Sequence, residues 1–84
     1  MGRSNRVKPI HLARKLKQIR LSMDLSQNEL IKLLNYKDSP LTASNMSEFE
    51  RGKREPTLQL LLRYSRVARV SVESIIDDEM ELDL

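Results

Sequence analysis

Eighty-four residues with no cysteine, two glycines, three prolines and one phenylalanine describe one small domain with a modest core. Disulfides and thiolate metal sites are excluded, and no apolar run approaches a membrane span, so a cytoplasmic protein is expected. The net charge of +3 conceals a gradient: residues 1–72 hold fifteen cations against six acids, residues 73–84 six acids and no cation, and so basic a body favours a polyanionic partner.

Residues 1–8 read as a flexible basic arm, residues 9–77 as a domain and residues 78–84 as an acidic tail. Pro9 suits a first helical position, and Leu12, Leu16 and Ile19 then share one face of a helix ending near Met23. Ser26 with Glu29 three residues later is a capping box, opening a second helix with Leu30, Leu33 and Leu34 as its buried stripe. Residues 35–40 form a turn or loop. Thr42 caps a third helix running to about Arg51, with Met46 and Phe49 inward, and Gly52 ends it by supplying positive φ. Pro56 and Thr57 restart the chain as a fourth helix with Leu58, Leu61, Leu62 and Ser65 on one face. Ser71 caps a fifth, closing the core with Val72, Ile75 and Ile76. The chain is therefore expected to be all-α, a compact bundle of five helices.

Four segments, residues 12–20, 25–34, 44–56 and 60–76, resemble the Cro/CI-type (XRE-like) helix-turn-helix family, whose domain is lambda-repressor-like. The combination carries the resemblance: Ser26-Gln27 before the second helix, Glu50-Arg51-Gly52-Lys53 after the third, then Pro56 and a leucine-rich helix. It spans roughly residues 10–77. It implies a five-helix domain that binds double-stranded DNA sequence-specifically, usually as a homodimer. On that footing a transcriptional regulator, and specifically a repressor, is the expected function.

The side chains suit that chemistry. Gln27, in the first turn of the second helix, can meet a phosphate together with exposed backbone amides. On the third helix, Asn45 can pair bidentately with adenine and Glu48 can accept from cytosine N4. With the permissive Ser44, these are the expected base readers. Arg51, Lys53 and Arg54 flank Gly52 as expected phosphate contacts. The resemblance implies that Arg20 and Glu50 pair in a semi-buried salt bridge, which also turns Arg20 toward phosphate.

Three positions depart from the family pattern. Residues 35–41 replace a short Gly-Val-type link, a longer loop from which Lys37 could reach DNA. Glu48 stands where cations or amides are commoner, and a carboxylate near phosphates costs affinity unless it reads a base. Arg69 stands where a helix-ending glycine is typical, which strains that cap.

The chain ends carry further expectations. Arg3 and Arg6 could enter a minor groove from the basic arm. Met80, Leu82 and Leu84 alternate with acids, the pattern of an edge strand pairing with a second protomer. The acids could instead fold back on the basic face, or the tail could bind a basic partner protein, as an antitoxin on this fold would. With one histidine (His11), no cysteine and no phosphate-cradling glycine loop, neither an enzyme nor a cofactor is expected.

Overall fold

The computed structural model describes residues 9–84. Those residues form five helices and no strand: α1 (Leu12–Ser22), α2 (Gln27–Leu34), α3 (Ala43–Glu50), α4 (Leu58–Ala68) and α5 (Val72–Ile76). Arg3 and Arg6 lie outside the described residues. α1 packs on α3 and α5, and α2 on α3 and α4, around a core of Leu16, Ile19, Leu30, Leu34, Met46, Leu60, Tyr64 and Ile75.

The helices start and stop on local chemistry. Ser26 closes its capping box with Glu29: the hydroxyl accepts from Glu29 N at 3.1 Å and Ser26 N donates to the carboxylate at 2.7 Å. The bond from the Ser26 amide, helped by the Ser26 hydroxyl, holds the Glu29 carboxyl below its ordinary value. Thr42 makes the equivalent box with Asn45, the hydroxyl accepting from Asn45 N and Thr42 N donating to Asn45 Oδ1, each at 3.1 Å. Gly52, at φ 74°, ends α3 in a Schellman turn: Gly52 N donates to Phe49 O and Lys53 N to Glu48 O. A Cβ added there would meet only Ala13 Cβ, at 3.6 Å, so conformation rather than space requires the glycine.

Expectations about the start or the phase of four helices are corrected. α1 begins at Leu12 rather than Pro9, because the amides of Ile10 and His11 donate to the Asp78 carboxylate, at 2.9 and 3.0 Å, instead of entering the helix. In α4 the buried residues are Leu60, Leu61, Tyr64 and Ser65, while Leu58 and Leu62 face solvent. Leucine at four of the first five helical positions cannot set the phase of such a helix; the Thr57 cap and Tyr64 do. Leu33 is likewise exposed, since Leu30 and Leu34 already fill the side of α2 that meets α3 and α4, and Ile76 is exposed beside buried Ile75.

The acidic C-terminal stretch is folded against α1. Leu82 joins the core, whereas Met80 and Leu84 do not, and residues 80–84 form no strand within the chain. Lys15 is fully buried, its ammonium donating to the carbonyls of Ser74, Asp77 and Met80 at 2.8, 2.8 and 2.7 Å. A cation thus gathers the carbonyls at the end of α5 while an acid from beyond α5 caps the start of α1. The two bonds from backbone amides hold the Asp78 carboxyl below its ordinary value. Lys15 was legible in principle, because it interrupts the apolar stripe Leu12, Leu16, Ile19 at helical spacing.

Candidate nucleic-acid interface

α3 is fixed from below by an arginine on α1. Arg20 meets Glu50 through two parallel bonds, Nε to Oε2 at 2.8 Å and NH2 to Oε1 at 2.9 Å, and its NH1 donates to Leu25 O at 3.0 Å. The pair is nearly dry, with side-chain exposures of 14% and 4%. The bond to Glu50 raises the Arg20 pKa against an opposing effect of burial. Gln27, the first residue of α2, reaches the same carboxylate through Nε2 at a long 3.4 Å. The Arg20–Glu50 pair therefore ties α1, the α1–α2 turn and the start of α2 to the third helix. Beneath it lies Tyr64, whose phenol burial pushes well above its ordinary range.

With Met46 and Phe49 in the core, the outer side of α3 presents an exposed Ser44 and half-buried Asn45, Ser47 and Glu48. Ser44 makes no side-chain hydrogen bond among the described residues. Asn45 Oδ1 is held by the capping box, so pairing with adenine through both amide atoms would require Thr42 N to release it. Glu48 accepts from Arg54 Nε at 3.0 Å, and Ser47 from Arg51 Nε at 3.2 Å. The Gly52 turn thus brings Arg51, Lys53 and Arg54, all exposed, to the C-terminal edge of α3.

The long connection after α2 is ordered by its own contacts. Asn35 ends α2 in the left-handed conformation, at φ 49°. Arg63 Nε donates to the Leu34 carbonyl at 2.7 Å, and Tyr36 bonds through its hydroxyl to Thr57 Oγ1 at 2.9 Å. Tyr36 and Leu41 pack against the core, leaving Lys37 exposed on the loop. A cleft of about 250 Å³ between this loop and the end of α3 is lined by Tyr36, Asn45, Phe49 and Arg54. The structure therefore joins Arg20, Gln27 and Glu50 in one network and Glu48 with Arg54 in another, and leaves Lys37 apart from both.

Among the described residues no group of histidines, cysteines or acids could hold a metal ion, and no helix is long and apolar enough to cross a membrane. A helix-turn-helix family matches the chain over residues 16–75, from the middle of α1 to α5. No curated protein and no solved structure matches it.

Proposed function

The chain belongs to the Cro/CI-type helix-turn-helix family of DNA-binding regulators, and from that premise we propose that it is a sequence-specific transcriptional repressor acting as a homodimer. Each protomer seats α3 in the major groove of one half of a near-palindromic operator, with half-site centres about one helical turn, roughly 34 Å, apart. Ser44 and Asn45 face base edges from the first turn of α3. Gln27, the free amides at the start of α2, and the cations Arg51, Lys53 and Arg54 grip phosphates on either side. Arg20 contributes by fixing α3, and Lys37 lies within reach of the flanking backbone only if the 35–41 loop lies along the duplex.

The observation that carries this reading is the Glu50 anchor. A helix held on its inner side by a dry bidentate ion pair, with Ser44, Asn45, Ser47 and an Arg54-paired Glu48 outward and three cations just past its end, presents a rigid probe. Selection of binding sites from random duplexes at roughly 0.15 M salt tests it, since phosphate attraction alone is then suppressed. Enrichment of an inverted repeat supports a dimeric reader; binding that vanishes with salt and enriches nothing removes it. An antitoxin-like module, whose acidic C-terminal stretch binds a basic protein, is less well served. Asp78 and Leu82 are already engaged against α1 and the core.

A further inference from the structure

Glu48 points outward from α3, where a bare carboxylate would repel phosphates. Its oxygen instead accepts from Arg54 Nε at 3.0 Å, and one residue earlier Ser47 accepts from Arg51 Nε at 3.2 Å. In both arginines the internal nitrogen is held while the terminal pair makes no hydrogen bond among the described residues. A guanidinium tethered in this way keeps its outer fork for a planar acceptor. It also loses less side-chain freedom when that acceptor arrives.

We infer that Glu48 is a positioning residue for Arg54 rather than a reader of cytosine: it holds the guanidinium edge-on so that the terminal nitrogens clamp a DNA phosphate. Ser47 does the same, more weakly, for Arg51. Base discrimination then belongs to the first turn of α3, while the second turn aims cations. This rests on the DNA-binding reading above and assigns the outward acid a task that cytosine recognition would not. The carboxylate is tolerable beside DNA because Arg54 neutralises it, so the two side chains act as a unit.

The test is a double-mutant cycle read by fluorescence anisotropy, with the duplex enriched by site selection and a scrambled duplex of equal length. Arg54→Ala is expected to weaken binding to both duplexes roughly tenfold, the scale of one charge-assisted bond. It should also lower the slope of log affinity on log salt by about 1. Adding Glu48→Ala to Arg54→Ala should then restore about threefold, because the carboxylate left bare is removed. Glu48→Gln, which keeps an acceptor for Nε, should retain the base preference of the unmodified protein. The proposal is overturned if Glu48→Ala weakens the Arg54→Ala protein further on the selected duplex alone, or if Glu48→Gln changes preference at a single base pair. If the unmodified protein enriches no duplex at all, the DNA-binding reading fails first and takes this assignment with it.

Discussion

The clasp between α1 and residues 74–80 and the outer side of α3 use the same kinds of polar group in opposite ways. In the clasp, Lys15 directs its ammonium at three carbonyls and Asp78 accepts from two amides, all within the chain. On α3 and the turn after it, Ser44 and Lys53 make no side-chain bond among the described residues, and Arg51 and Arg54 are held only at Nε. The Arg20–Glu50 pair stands between these regimes, nearly buried like the clasp yet reaching Gln27 at the edge of the proposed binding side. Groups that hold a small fold together exhaust their partners; groups that meet a ligand are aimed and left unfinished.

The sharpest way to break that contrast is Lys15→Met, which keeps the packed stem but strands three carbonyls. Unfolding free energy from urea titration should fall by roughly 3 kcal/mol, and a loss below about 1 kcal/mol would show that water replaces the ammonium. Arg20→Ala comes next, since it leaves Glu50 buried without its cation and should cost roughly 3 kcal/mol. The Arg20→Ala/Glu50→Ala double variant should recover part of that cost, and additive losses would mean that the pair is not coupled.

Asp78→Asn should destabilise the protein only where the acid is ionised. Its folded pKa lies below the ordinary 3.8, so the contribution is complete above that value and is lost as pH falls through the folded one. Thermal melting temperatures of the two proteins should therefore differ at neutral pH and converge in acid; a gap unchanged at low pH would assign the effect to something other than the charge. The smallest effect is expected at Arg69, an arginine at φ 59°. Arg69→Gly should stabilise the fold by about 1 kcal/mol by relieving left-handed strain, with DNA affinity unchanged.

The fold was readable where the chain announces its own punctuation. Ser26, Thr42, Thr57 and Ser71 each cap a helix, and Gly52 closes α3 with a positive φ that few other residues accept. Phase was less readable where apolar residues crowd, as in α4, because four leucines within five positions fit more than one face. The clasp was hidden for another reason: it joins residues 59 to 68 positions apart, and nothing local in Asp78 says that it will cap α1. At the candidate interface, residue types pointed to nucleic acid. The tie between Glu48 and Arg54 depends on the Gly52 turn folding the chain back on α3, which no reading of α3 alone supplies.

The most direct measurement is a titration of 15N-labelled protein with a selected duplex, followed residue by residue by amide chemical shift. Perturbations concentrated at Gln27 and in residues 42–54, with residues 74–84 nearly unmoved, are the expected result. Perturbations centred on the clasp, with α3 silent, would contradict the division between a closed side that stabilises and an open side that binds.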